Sequence, residues 1–148
     1  MPFDFDRFAR RLSRFEYADA MLRRTVYTAV AMKDNEVDSA KEGCEESLAV
    51  RVFHRGAFGF AATNQLGHAD AILIRAGRLA STRPGKTKLA EPEANDCKRV
   101  LKPRRDAADY SIGRKIKWLK EYSALAKKGK VFRVQTSFTN AANAKWFA

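Results

Sequence analysis

The spacing of apolar residues predicts one helix followed by several strands in the first half of the chain. Four apolar residues recur at the three- and four-residue spacing of a single helix face: Phe5, Phe8, Leu12 and Phe15. The residues that follow are rich in β-branched and aromatic types, which favour strands. Four strands are predicted, at residues 25–32, 36–41, 48–53 and 58–62. We expect tight turns at 33–36 and 54–57, and Gly43 is expected to end the second strand.

The second half alternates between strongly periodic segments and an irregular one. A helix is predicted at 67–82, and another begins after Ser111 and ends at Gly129. Strands are predicted at 131–138 and 144–148, with a turn at 140–143 between them. The pattern therefore predicts one α+β domain over residues 1–148. We expect two layers, an antiparallel meander sheet packed by two to three helices, with a basic irregular loop at about 83–106.

Length and composition place the chain among globular proteins. It has 148 residues, of which 45% are hydrophobic, enough for one domain with its own core. No apolar run reaches the length of a membrane helix, and the N-terminus lacks a basic segment followed by an apolar one. We therefore expect a cytoplasmic protein with no membrane partner. Cys44 and Cys97 are interpreted as buried thiols, with a disulfide left open.

Charge changes this picture because it is unevenly distributed. The formal net charge is +12. Residues 98–148 carry 14 Lys and Arg against 3 Asp and Glu, whereas residues 1–97 carry 15 against 14. A surface of one sign repels itself unless something anionic covers it. The last third is therefore predicted to face an anionic partner.

Several short motifs resemble the amino-terminal domain of the TldD/PmbA metallopeptidase family. Residues 48–64, LAVRVFHRGAFGFAATN, are similar to its apolar strand, its Gly-aromatic-Gly-Phe-Ala hairpin and its Thr-Asn ending. Upstream, residues 17–19 resemble the entry to the family's first strand and residues 35–37 resemble its turn. Downstream, residues 111–116 resemble a family helix and residues 144–148 a family strand. The motifs occur in the family's order over nearly the whole chain.

The same resemblance implies that this sequence stops short of the family's metal-binding motif. That motif is a His-Glu-x-x-x-His helix followed by a cysteine, and such a zinc site needs two histidines one helical turn apart. Only His54 and His68 are present, fourteen residues apart, and neither begins a His-Glu pair. No nucleophile elbow, phosphate-binding loop or CxxC motif occurs. We therefore expect no catalysis, no metal and no cofactor.

The favoured interpretation is an RNA-binding structural protein, bound to rRNA and neighbouring ribosomal proteins and therefore ribosome-associated. Clustered lysine and arginine neutralise phosphates and release counterions, whatever the base sequence. Ten residues are the predicted phosphate contacts: Arg99, Lys102, Arg104, Arg105, Arg114, Lys115, Lys117, Lys127, Lys128 and Lys130.

The main alternative is a non-catalytic regulatory or docking subunit of a TldD/PmbA-type peptidase complex. Family members assemble in pairs that enclose the active site, so an amino-terminal domain is expected to be able to dock on a full-length relative. DNA, anionic lipid and a gene fragment without a role also remain open, and charge alone does not separate DNA from RNA.

Overall fold

The structure is a computed structural model that describes residues 3–82, 84–90, 99–101, 103–129 and 131–148. In chain order, its helices and strands are α1 (Phe5–Ala9), β1 (Tyr17–Lys33), β2 (Glu36–His54), β3 (Ala57–Thr63), α2 (Ala69–Ser81), α3 (Ile112–Ala126) and β4 (Gln135–Phe147). Three short 3-10 turns lie at Leu12–Arg14, Leu66–His68 and Ala107–Asp109.

Two-residue turns join the first three strands into hairpins. Asp34 and Asn35 have positive φ angles of 49° and 75°, and Arg55 and Gly56 have φ angles of 48° and 76°. Two consecutive residues with positive φ give a turn whose twist matches that of the flanking strands. Asparagine, aspartate and glycine adopt this conformation at the lowest cost, so Asp34, Asn35 and Gly56 favour the two predicted turns, which are confirmed.

The four strands form one antiparallel sheet in the order β3-β2-β1-β4. Strand β2 pairs with β3 in the register that places Arg51 opposite Phe60 and Val52 opposite Gly59. Strand β4 returns beside β1, where Ala20 and Ala148 exchange two backbone hydrogen bonds of 2.9 and 3.0 Å. The α+β fold predicted from the sequence is confirmed.

The described residues divide into two compact units, to which β1, β2 and β4 all contribute. The first unit lies within residues 1–24, 45–95 and 143–148. Its core combines the alternate residues of the strands with one face of α2 and two residues from the N-terminal segment. The main buried side chains are Phe8, Leu12, Leu22, Leu48, Val50, Val52, Ile72, Leu73, Ala76 and Ala80.

The second unit lies within residues 25–44 and 96–142. Its core is smaller, with Val30, Met32 and Leu119 buried. Ile112, Ile116 and Phe138 pack against them and are partly buried. Helix α3 thus supplies one side of this core and the strands supply the other. That the whole chain folds as a single domain stays a prediction.

Two predicted strand breaks are wrong. Strand β2 runs through Gly43 without interruption for 19 residues, and a Cβ at Gly43 would lie 2.8 Å from Cζ of Tyr27. The glycine therefore makes room for an aromatic side chain instead of turning the backbone. Residues 140–143 likewise lie inside β4, where Nε and Nη2 of Arg23 donate hydrogen bonds of 3.1 and 2.9 Å to Oδ1 of Asn143.

Side-chain caps explain where two of the helices begin. Asp4 accepts a hydrogen bond of 2.9 Å from the backbone nitrogen of Arg7, which starts α1. Ser111 accepts one of 3.3 Å from the backbone nitrogen of Arg114, which starts α3 as predicted. Each cap satisfies a backbone donor that the helix itself leaves unpaired. No helix in the described ranges has the length and hydropathy needed to cross a bilayer.

Candidate functional site

The cations predicted as phosphate contacts fall into three structural groups. Arg114 and Lys117 are exposed on α3, while Lys127 and Lys128 are exposed in the turn after it. Three more are exposed outside the helices and strands, in the segment that precedes α3: Arg99, Arg104 and Arg105. The remaining predictions, Lys102 and Lys130, lie outside the described residues.

Lys115 does not belong on this surface, because it is only 1% exposed. Its Nζ donates a hydrogen bond of 3.3 Å to Oγ1 of Thr28 and lies 5.6 Å from the centre of the Phe138 ring. No described carboxylate forms an ion pair with it. A phosphate cannot reach this side chain, so its prediction as a surface contact is wrong. Its position beside Ile112, Ile116 and Leu119 at helical spacing is the signal that could have predicted its burial.

Other polar groups accompany Lys115 in the second unit. The buried Oγ of Ser123, Oγ1 of Thr136 and Oδ1 of Asn140 have no hydrogen-bond partner in the described part of the chain. Buried polar atoms without partners destabilise a fold. The packing of α3 therefore combines a small apolar core with several polar contacts that are only partly satisfied.

The tip of the first hairpin is fixed to the segment after α3 through Asp34. Its backbone nitrogen donates a hydrogen bond of 2.9 Å to the oxygen of Val134, whose nitrogen donates one of 3.1 Å to Oδ1 of Asp34. Lys127 Nζ and Arg133 Nε lie 4.0 and 3.9 Å from the two carboxylate oxygens. Lys127 is therefore partly neutralised within its own unit, whereas Lys128 forms no ion pair with a described residue.

The outward side of α3 carries apolar as well as cationic side chains. Tyr122 is 65% exposed and Leu125 is 58% exposed. Ser123, the residue after Tyr122, instead occupies the buried position on this turn of the helix. Trp118 is half-buried between the Tyr110 ring, at a centroid distance of 4.9 Å, and the Arg114 guanidinium, 5.7 Å from its ring centre.

The first unit has its own candidate surface on the side of β2 and β3 that carries Arg51 and Phe60. Nη2 of Arg51 lies 2.7 Å from Oδ2 of Asp19, and this hydrogen-bonded carboxylate raises the pKa of Arg51. The same guanidinium lies 5.2 Å from the centre of the Phe58 ring. A groove of about 500 Å³ is lined here by apolar residues that include the exposed Phe60 and Phe147. Because Arg51 is already paired with Asp19, the surface left for a partner is mainly apolar.

A larger cleft in the same unit, about 960 Å³, lies beside α1 and the start of α2. Most of the charged side chains along this cleft already form ion pairs within the unit: Arg11 pairs with Asp70, and Glu46 pairs with Arg24.

The described residues do not provide a metal site. No group of three or more His, Cys, Asp or Glu among them could hold an ion. His54 ends β2 and His68 precedes α2, so the two imidazoles belong to separate elements. Cys44 is exposed on β2, which makes the buried-thiol interpretation wrong for it, and Cys97 lies outside the described residues. The donor set a metallopeptidase needs is therefore not assembled here.

Comparison with known proteins identifies this architecture. Residues 18–81 match the family model described as PmbA/TldA metallopeptidase domain 1. Over residues 18–81 the chain is therefore similar to the first domain of the TldD/PmbA family. The resemblance drawn from the hairpin motif at 48–64 is thereby confirmed. No curated protein sequence matches the chain.

Solved structures share this fold over nearly the whole chain. A proposed modulator of a DNA gyrase from Thermotoga maritima is 14% identical, with a TM-score of 0.80, and the match covers 98% of this chain and 35% of that one. TldE from Thermococcus kodakarensis is 14% identical, with a TM-score of 0.69 and coverage of 97% and 34%. A proposed modulator of DNA gyrase from Bacteroides thetaiotaomicron is 20% identical, with a TM-score of 0.70 and coverage of 97% and 36%. At these identities the likeness shows the fold alone, and the chain spans about a third of each of these proteins.

The family assignment overturns the ribosomal interpretation. A TldD/PmbA domain is part of a metallopeptidase family, and nothing in that assignment supports a ribosomal protein, rRNA binding or ribosomal protein partners. The prediction was wrong because net charge reports only that an anionic partner is favoured, without saying what class of molecule it is. The alternative, a component of a TldD/PmbA-type complex, fits the findings better.

Proposed function

We propose that this chain is a non-catalytic docking or regulatory subunit of a TldD/PmbA-type peptidase assembly. The observation that carries the proposal is the coincidence of a first-domain family match at residues 18–81 with a fold shared over nearly the whole chain. The matched structures extend to about three times the part that this chain covers. The part of the chain that matches offers the surfaces of that first domain with which to bind a relative.

The absence of catalysis is part of the proposal, and its support is the sequence. A zinc peptidase holds its metal with at least three protein ligands and activates water with a carboxylate. The sequence contains two histidines, and neither begins a His-Glu pair. The role left to this chain is to bind a metal-containing relative and alter its assembly or its access to substrate.

Co-expression with a full-length TldD/PmbA-type chain from the same organism tests the proposal. We expect the two proteins to co-purify and to elute together in size-exclusion chromatography at a fixed ratio. We also expect peptidase activity of the full-length chain on an unfolded protein substrate to change when this subunit is titrated in. Elution of the two proteins as separate peaks, with unchanged activity, would contradict the proposed function.

A separate measurement tests the non-catalytic part. The purified chain alone should hold less than one equivalent of zinc by elemental analysis and should leave the same unfolded substrate intact. Adding the full-length relative serves as the positive control for substrate cleavage. Stoichiometric metal together with hydrolysis by the chain alone would show that it is itself a peptidase.

A further inference from the structure

We propose that the outward side of α3 is the docking face of this subunit, and that it binds an apolar groove bordered by carboxylates on a TldD/PmbA-type partner chain. This inference rests on the proposed function and adds the surface and the chemistry of its partner. The docking face is defined by five exposed residues of α3: Arg114, Lys117, Lys120, Tyr122 and Leu125.

Helix geometry divides the docking face into an apolar stripe and a cationic stripe. Each residue advances about 100° around an α-helix, so Tyr122 and Leu125 lie within about 60° of each other. Lys117 and Lys120 are separated by about the same angle on the opposite flank of the exposed side, and Lys120 lies about 160° around the helix from Tyr122. Arg114 and the exposed Glu121 both lie between the two stripes, with Arg114 close to the line of Leu125. The exposed side of α3 is therefore amphipathic, as in helices that bind a groove on a partner. The opposite side of α3 packs in the core of its own unit.

The exposed apolar side chains indicate a protein partner. A surface selected for phosphate needs donors and cations, and an exposed leucine beside them gains nothing from a phosphate. The centres of protein interfaces are instead enriched in tyrosine and arginine and gain from the removal of apolar surface from water. Tyr122 and Leu125, at 65% and 58% exposure, have that surface available.

The unpaired lysines indicate that the partner groove is acidic. Neither Lys117 nor Lys120 forms an ion pair with any residue that the structure describes, and Arg114 contacts the Trp118 ring and no described carboxylate. Carboxylates at the rim of a groove would complement them and speed association. A second copy of this chain is a poor candidate for the partner, because each copy has a net charge of +12 and the two would repel each other.

Two double variants separate the contributions of the two stripes. In the whole chain, Lys117→Glu with Lys120→Glu reverses the cationic stripe, and Tyr122→Ala with Leu125→Ala removes the apolar one. The probe is the full-length TldD/PmbA-type chain, with the dissociation constant measured calorimetrically at low salt. We expect each double variant to raise Kd by about tenfold or more, because rim charges and central apolar anchors both contribute to docking. The effect of the charge reversal should shrink as salt is added.

A matched control uses the other long helix. Arg75→Glu with Arg78→Glu makes the same change in charge at two exposed positions of α2, and we expect it to change Kd by less than about threefold. Circular dichroism and thermal unfolding identify any variant that fails to fold, and for such a variant the milder Lys117→Gln with Lys120→Gln or Tyr122→Ser with Leu125→Ser takes its place.

The outcomes distinguish the docking face from the proposed function. If the partner binds and both stripe variants bind as the natural chain does, the docking face is wrong and the subunit role stands. If the control weakens binding as much as the charge reversal, the effect is one of net charge and the docking face is again wrong. If the full-length chain does not bind at all, both the role and the docking face fail. Tighter binding to a polyuridylate RNA than to the partner, unaffected by Tyr122→Ala with Leu125→Ala, would also overturn the inference.

Discussion

Replacing Gly59 by alanine tests how tightly helix α2 packs against strand β3. Gly59 is buried in β3, opposite Val52 of β2. A Cβ at this position would lie 2.5 Å from the backbone nitrogen of Ala80 and 3.0 Å from the carbonyl carbon of Ala76, and still closer to the Ala76 oxygen. Both neighbours are backbone atoms inside a helix, so neither can rotate away as a side chain could.

The expected cost follows from how far the helix must move. Ordinary Cβ contacts begin near 3.4 Å and the Ala76 oxygen is the closest neighbour, so α2 has to separate from the sheet by at least about 1 Å. A gap of that size removes about a quarter to a half of the dispersion energy of the atoms on either side of it. The side chains affected include Ile72 and Leu73, each worth about 1.5–3 kcal/mol when fully buried. Together with overpacking penalties of about 1–3 kcal/mol, Gly59→Ala should lower the free energy of unfolding by about 3 kcal/mol.

Urea denaturation followed by far-ultraviolet circular dichroism measures this difference. The matched control is Gly67→Ala in the same unit, where an added Cβ meets nothing within 4 Å, and its stability should stay within about 0.5 kcal/mol of the natural chain. A Gly59→Ala variant as stable as the control would refute the close approach of α2. Tryptophan fluorescence, recorded alongside, tests whether the chain is one domain, because Trp118 and Trp146 belong to different units. A single domain should give coincident transitions by both probes.

Three further predictions concern the second unit. Lys115→Met should stabilise the chain by about 1–2 kcal/mol in urea denaturation, since a buried ammonium with no paired carboxylate is costly; a loss of stability would show that its hydrogen bond to Thr28 outweighs that cost. Ser111→Ala should lower the free energy of unfolding by about 1 kcal/mol because the N-cap of α3 is lost, whereas Ser111→Asp should keep most of the stability that the cap provides. Equal losses in the two variants would contradict the capping role. Asp34→Asn should lower the free energy of unfolding by less than about 1 kcal/mol, and this loss should vanish at high salt because it reflects exposed ion pairs. A loss that does not depend on salt would contradict that origin.

Local signals explain the parts of the fold that the sequence predicts correctly. The hairpin turns are specified by residues that tolerate positive φ, and the start of α3 by a serine that caps it. Helix α2 was expected at 67–82 and is observed at Ala69–Ser81, because its apolar period is strong. In each case the decisive interaction lies within a few residues along the chain.

The wrong predictions depend on contacts between distant residues. Gly43 resembles a strand break until Tyr27, on the neighbouring strand, is seen to fill the space beside it. Lys115 and Ser123 are polar and nevertheless share the buried side of α3, whereas the aromatic Tyr122 is exposed. Helical position is therefore a better guide to burial on α3 than residue type.

Reasoning from residue types without their positions also explains why the partner of the basic region was misidentified. Counting 14 cations against 3 anions over residues 98–148 establishes an unbalanced charge, and any anionic surface satisfies it. The class of partner is instead indicated by the other side chains exposed on α3, which include a tyrosine and a leucine as well as Lys117 and Lys120. Apolar side chains favour a partner that can exclude water from them, which a phosphate backbone does not do. The exposed apolar side chains therefore support the proposed acidic protein groove over a nucleic acid as the partner of α3.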